Sequence, residues 1–326
     1  MPKLVESLLI RGYTKNDIGE EEFSVLESCV SWIAFCEQIE DSFDVLAKSF
    51  LEFETDLFSL SLEHFFSDIS SLDDHENAFS EGRSRISLRV FSVLMAAKSY
   101  EERVYRLAKL LPNSKEVLVE FKSIFSNKFD SFFEYRLADA LRNFAAHDSM
   151  PLSGYSVGYR IESGSTRITE ADPKRQRNSL SPYLRAEKIT NSKKINKKII
   201  REIEEQGFEK IDLKILVRRY ISCMYTAHSE VRRNTESLME KASVEIEKSH
   251  ARLETITGRP SDHAYAIREN DQGSALYISR RRCQNTHLKR SRWSQLNNAH
   301  YRYISTGIYK SGKTHTKNEK ELYIPD

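Results

Sequence analysis

The stretch Asp130-SFFEYRLADALRNFAA-His147 decides how the chain is read. On a wheel of 100° per residue, Phe133, Leu137, Ala140, Leu141 and Phe144 share one side, so this segment is an amphipathic helix with a core face. Arg136, Asp139, Asn143 and His147 lie beside that face, within about 80° of each other. Arg142 sits further round, with a stem long enough to reach back over the stripe. Asp130 or Ser131 opens the helix, and Met150-Pro151-Leu152-Ser153-Gly154 stops it.

Upstream, helical periodicity continues. Phe23, Val25, Leu26, Val30, Ile33, Ala34 and Ile39 predict a helix over 20–47, and the Phe- and Leu-rich stretch 45–69 predicts a second. The polar run from Ser70 to Asn77 reads as a loop. A third helix covers about 83–111 and ends at Pro112. A short fourth follows over about 115–125, capped by Asn113 or Ser114. Five such helices on short loops describe an up-and-down bundle over residues 1–150.

Downstream the texture changes. Tyr155–Ile161 and Thr166–Thr169 read as a β-hairpin around Glu162-Ser163-Gly164-Ser165, and the polar stretch 171–194 as a loop or linker. Helix returns at 195–206 and then over about 211–256, with Leu213, Leu216, Val217, Tyr220, Met224, Ala227, Val231, Leu238 and Ala242 along one face. Short strands and one helical piece are expected over 263–326. The fold class is therefore mainly α: an N-terminal helical bundle, then a smaller α+β region with a long helix. The units are 1–150, 151–194 (hairpin and linker) and 195–326.

Charge follows the same division. Residues 1–150 carry about 16 basic and 27 acidic side chains, and the remainder about 34 and 21. Opposite signs argue for two units with different surfaces, the basic one suited to a polyanion. Cys29, Cys36, Cys223 and Cys283 form no C-x-x-C pair and read as buried apolar residues in a reducing compartment. Glu20, Glu21 and Glu22 interrupt any leader-like apolar run, and no stretch approaches the ~20 apolar residues of a membrane span. A cytoplasmic protein that avoids membranes is the expectation.

The residue types near His147 suit ribose chemistry. A histidine titrates near neutrality, so it can take one proton and give another without a metal. A guanidinium holds phosphate oxygens bidentately and opposes charge building at phosphorus. Asn143, four residues before His147, can orient either partner. The competing role for His147 is a helix-end cation favoured by the C-terminal dipole.

The segment Arg142-Asn143-Phe144-Ala145-Ala146-His147 resembles the HEPN superfamily, whose ribonucleases carry Arg-x4-6-His near the end of a bundle helix, often with Asn after the Arg. The resemblance implies an endoribonuclease of bacterial toxin or phage-defence character. Arg142, Asn143 and His147 would be its catalytic residues, with Arg136 and Asp139 in support. It also implies a homodimer with two facing motifs, no cofactor and no metal, and an antitoxin or other partner protein. The alternatives are a non-catalytic bundle that binds a nucleotide or a partner, and a nucleic-acid-binding regulator working through the basic half.

Other signals compete. Arg282 and His287 repeat the spacing, but in a basic segment with no bundle around it. That segment holds Arg280, Arg281, Arg282, Lys289 and Arg290, with Tyr277, Trp293, Tyr301, Tyr303 and Tyr309 nearby, and suits looped or single-stranded RNA. A solvated basic surface is the plainer reading. Gly307-Ile308-Tyr309-Lys310-Ser311-Gly312-Lys313-Thr314 matches a phosphate loop in letters but lacks the strand, helix and following sheet that one needs. Cys223 with His228 and Cys283 with His287 could be combined as one zinc site, but Cys223 and His228, five apart on a helix, point about 140° from each other and make a poor pair. Arg232-Arg233 and Lys193-Lys194 read as solvated charges.

Overall fold

A computed structural model describes residues 2–6, 15–66, 72–111, 113–147, 150–162, 175–261, 263–268 and 275–302, with the side chains of 6, 15, 72–75, 147, 159–162 and 175–178 excepted. The described chain is mainly α with two small sheets. In order, the elements are β1 (Pro2–Glu6), β2 (Lys15–Asp17), α1 (Glu20–Phe66), α2 (Leu72–Ala108), α3 (Ser114–Ser131), α4 (Phe133–His147), β3 (Gly154–Glu162) and β4 (Arg175–Arg185). There follow α5 (Ala186–Thr190), α6 (Lys197–Glu205), β5 (Lys210–Asp212), α7 (Leu213–Thr257), β6 (Ala264–Arg268), β7 (Leu276–Ile278), α8 (Arg280–Arg290) and a 3-10 turn, Ser294–Tyr301.

The two expected helices over 20–69 are one. The apolar residues on both sides of residue 46, from Phe23 to Leu60, bury on a single continuous face. No glycine or proline interrupts the 47 residues, so the helix runs about 70 Å. The expected loop at 70–77 shortens, because α2 already begins at Leu72. Asn113 does not cap α3 through its side chain; it adopts a left-handed backbone with φ 58°. The fourth helix runs on to Ser131, and one extended residue, Phe132, separates it from α4.

Ion pairs set the register of the long helices. Glu63, Asp56 and Glu52 of α1 meet Arg85 and Arg89 of α2, and Gln38 meets Arg103, which makes α1 and α2 antiparallel. Glu22, Glu40 and Glu54 of α1 meet Arg252, Arg232 and Arg218 of α7, so α7 is antiparallel to α1 as well. The bundle thus takes its fifth long member from the C-terminal half. The core does not divide at residue 150: one hydrophobic cluster runs from Leu4 to Ala299. Some opposite charges of the two halves meet in ion pairs between α1 and α7, of which Glu40–Arg232 is buried.

The sheets close the ends. β1 pairs antiparallel with both β2 and β6, and β7 completes the order β2-β1-β6-β7. In the second sheet, β3-β4-β5, the hairpin is real but its second strand is Arg175–Arg185, inside the segment expected to be a linker. The strand expected at Thr166–Thr169 lies outside the described residues. Tyr155 docks this hairpin on the bundle. Its hydroxyl lies 2.8 Å from His64 Nε2 and its ring stacks on Phe79. Gly82 leaves the room; a Cβ there would overlap the Tyr155 hydroxyl.

Candidate functional site

Helix α4 is positioned as its pattern requires. Leu137, Ala140, Leu141 and Phe144 are buried, and Phe133 packs at the margin of the core. Tyr135 and Ala138 join them. Beneath the helix, the Tyr135 hydroxyl donates to Glu101 of α2 at 3.3 Å, and its ring meets Tyr220 of α7 edge-on at 5.4 Å. Tyr105 also donates to Glu101, at 2.9 Å. This aromatic layer, held at one carboxylate, sets the height of α4 on α2 and α7. Burial raises the Tyr135 and Tyr220 phenols well above their ordinary range, so they remain protonated.

Arg136 serves the fold. Its Nη1 donates to the Phe129 and Asp130 carbonyls, both at 2.8 Å, which satisfies acceptors at the end of α3. Its Nε and Nη2 donate to Glu202 of α6 at 3.2 and 3.0 Å. At 9 % exposure it has no free donor face to offer a substrate.

Arg142 is different. Its guanidinium does reach back along the helix: Nη2 donates to Asp139 Oδ1 at 3.2 Å. Its Nε is buried without an acceptor, an uncommon cost for a charged group. Arg142 and Asp139 are part-exposed and Asn143 is exposed. The three groups are therefore open to solvent on one side, and the charges of Asp139 and Arg142 act in opposite directions on the buried Tyr220 phenol. His147 is the last residue of α4. Its side chain lies outside the described residues, as do Asp148 and Ser149. A guanidinium aimed by a carboxylate and an exposed amide can together hold phosphate oxygens.

The basic segment 280–290 forms α8, and most of its cations are already paired. Arg280 binds Glu247 and Glu254 at 2.8 and 3.0 Å; Arg282 binds Glu37 at 2.6 Å. Lys289 binds Asp41 at 2.5 Å. Arg290, with 7 % of its side chain exposed, binds Glu236, Thr235 Oγ1 and the Arg232 carbonyl. Arg281 is exposed and has no ion pair among the described residues. The second spacing match is also engaged: His287 Nε2 lies 2.9 Å from Ser243 Oγ, itself 3.0 Å from Cys283 Sγ. The phosphate-loop look-alike at 307–314 lies outside the described residues, as do Tyr303 and Tyr309.

All four cysteines are free and buried. Burial pushes the Cys29 and Cys36 thiols up to about 11 and Cys223 up to about 12, so none is primed as a nucleophile. Among the described residues, no group of three His, Cys, Asp or Glu side chains could hold a metal ion. No described helix is long and apolar enough to cross a membrane.

One polar cluster carries no motif in the sequence. Glu40, Tyr100, His228 and Arg232 are all buried where α1, α2 and α7 meet. Tyr100 Oη lies 2.7 Å from His228 Nδ1, and His228 Nε2 lies 3.3 Å from Glu40. A neutral imidazole satisfies both, accepting from the tyrosine at Nδ1 and donating to the carboxylate at Nε2. Arg232 grips Glu40 through Nε and Nη2 at 2.9 and 2.6 Å, and donates to the Arg292 and Lys289 carbonyls at the end of α8. Burial lowers His228 to about 4 despite the nearby Glu40 carboxylate. Burial alone would raise Glu40; the hydrogen bonds from Arg232 and His228 outweigh it and hold the carboxyl at about 2. The only signal in the sequence was a pair of polar residues, His228 and Arg232, at helical spacing on an apolar face. With Phe43 stacked on His228 at 3.9 Å, the cluster is closed to substrate. It anchors α8 to the bundle.

The chain matches no protein-family model, no curated protein and no solved structure.

Proposed function

We propose that the chain is a metal-independent endoribonuclease of the HEPN type, with its reaction centre at the C-terminal end of α4. The observation that carries this reading is the posture of Arg142. It is turned along the helix by Asp139, with one buried donor unused, beside the exposed amide of Asn143. In the proposed reaction, His147 takes the proton of a ribose 2′-OH, whose oxygen attacks the adjacent phosphorus. The bond to the 5′-oxygen breaks, leaving a 2′,3′-cyclic phosphate and a 5′-OH. Arg142 holds the non-bridging oxygens and opposes the charge that develops on them. Asp139 positions Arg142, and Asn143 orients the phosphate or the imidazole. Arg136 supports the helix rather than the chemistry.

In-line cleavage needs an acid on the opposite side of phosphorus from the base. A homodimer with two facing motifs supplies it as a second imidazole without any further sequence feature. A toxin or phage-defence setting, with a partner protein to restrain it, follows from the resemblance alone.

Incubation of the full chain with RNA in excess chelator tests the reading. Cleavage should persist, spare DNA of equal sequence, and vanish in His147→Ala and in Arg142→Ala, with a smaller loss in Asn143→Ala. A mixed dimer carrying one His147→Ala chain should lose more than half the activity. Wild-type rates in a folded His147→Ala protein, or 5′-phosphate products, would refute the assignment.

A further inference from the structure

If α8 is occupied by internal pairs, the exposed positive charge must be sought elsewhere, and it lies on α5, α6 and the turn between them. Arg185, Lys188, Lys193, Lys194, Lys197, Lys198 and Arg201 are all exposed, against a single carboxylate, Glu187, in the same stretch. Arg185 approaches Glu187 at 3.5 Å, while Lys188, Lys193, Lys197, Lys198 and Arg201 have no ion pair among the described residues. Ile199 and Ile203 bury the opposite face of α6, so these cations are held outward by a fixed helix.

Their placement works against the helix that carries them. Lys197 and Lys198 open α6, whose first turn has no acid and whose last turn has no base. Glu204 and Glu205 close it. The helix dipole favours the reverse order at both ends. Local stability therefore does not account for the pattern, and a charge arrangement that defies its local rule is a mark of a site kept for another purpose.

The patch also sits beside the proposed reaction centre. Glu202 of α6 binds Arg136 of α4, and Phe133 stacks on Phe208 just past α6. On the wheel of α6, Lys198 lies about 40° from Glu202, on the flank that faces α4. Arg136 and Arg142 are six residues apart on one helix, about 9 Å.

We propose that Lys193, Lys197, Lys198 and Arg201 form the surface that holds the phosphodiester backbone of single-stranded RNA and feeds it along α4. The identity of the polyanion rests on the proposed nuclease function; the surface itself rests on exposure and on the lack of ion pairs among the described residues. Binding is read by anisotropy of a short fluorescent 2′-O-methyl oligoribonucleotide, which cannot be cleaved, over a salt series with the full chain. The variant Lys193→Gln, Lys197→Gln, Lys198→Gln, Arg201→Gln should bind at least about tenfold more weakly at low salt. Its log–log salt slope should be shallower by about 2–3, at ~0.7 for each phosphate no longer neutralised. A charge-matched control, Arg106→Gln, Lys109→Gln, Lys115→Gln, Lys122→Gln, removes four exposed cations from the other half and should bind as the parent does. An unchanged affinity and slope in the α6 variant, or no binding by the parent, overturns the proposal. Misfolding is checked by melting, which should not fall, because all four side chains are exposed without ion pairs among the described residues and Lys197 and Lys198 oppose the helix dipole. If the parent binds through this patch yet cleaves nothing, the surface stands and the nuclease reading falls. If cleavage depends on His147 while the α6 variant binds normally, the reverse holds.

Discussion

Helix α8 and the α5–α6 segment look alike as strings of basic residues, yet the fold uses them in opposite ways. Apart from the exposed Arg281, the Arg and Lys side chains of α8 face the acidic sides of α1 and α7 and are neutralised there by Glu37, Asp41, Glu236, Glu247 and Glu254. Those of α5–α6 face solvent. A run of positive charge is thus an interaction surface only after the chain's own carboxylates have been counted. Several carboxylates of the acidic half pair with cations of the basic half, as Glu22, Glu40 and Glu54 do with α7 and Glu37 and Asp41 with α8.

The largest effect is expected at Arg232, which links Glu40 to the end of α8. Arg232→Ala leaves the buried Glu40 carboxylate without its guanidinium partner, with only His228 still donating to it, and removes the link to the Lys289 and Arg292 carbonyls at the end of α8. We expect a loss of about 3–5 kcal/mol by chemical denaturation, or failure to fold. A variant within error of the parent would mean that α8 docks by apolar packing alone.

Acid should loosen the same anchor. Between pH 6.5 and about 4 the unfolded chain takes a proton at His228 that the folded chain refuses, so stability falls as pH drops through that window. Below 4.5, Glu40, held at about 2, adds to the loss: its stabilising charge is present above 4.5 and disappears as pH falls towards 2. The combined effect is on the order of a few kcal/mol. Urea midpoints that stay level from neutrality to pH 4.5 would contradict the buried neutral imidazole.

Within α8, effects should grade with burial. Arg290→Ala strands its acceptors on α7 and should cost about 2 kcal/mol, as charged hydrogen bonds do. Lys289→Gln and Arg282→Gln remove part-exposed pairs and should cost about 0.5–1 kcal/mol each, with less at high salt. Equal losses at all three positions would show that pairing, and not burial, sets the scale.

The smallest effect belongs to the other side of the comparison. Substituting glutamine at Lys193, Lys197, Lys198 and Arg201 should leave the melting temperature at or slightly above that of the parent. A clear drop would mean that these side chains hold structure as those of α8 do.

The helical character, the core face of α4 and the reach of Arg142 back along its helix were legible in the residues alone. Each depends on spacing within one helix, where 3.6 residues per turn fixes which side chains meet. The sequence also placed the first strand of the hairpin after residue 150, though not its partner, and the long helix that became α7. Only the tertiary structure decided that α1 is unbroken, that β1 pairs with β6 across the whole chain, and that α7 fills the bundle. It alone assigned the cations, sending Arg136 to Glu202 and the residues of α8 to α1 and α7, while leaving those of α6 in solvent. The physical reason is range. Periodicity is written in neighbours three and four residues apart. The partner of a buried charge, such as Glu40 for Arg232, is chosen by desolvation and geometry between segments almost two hundred residues apart, and no local pattern records it.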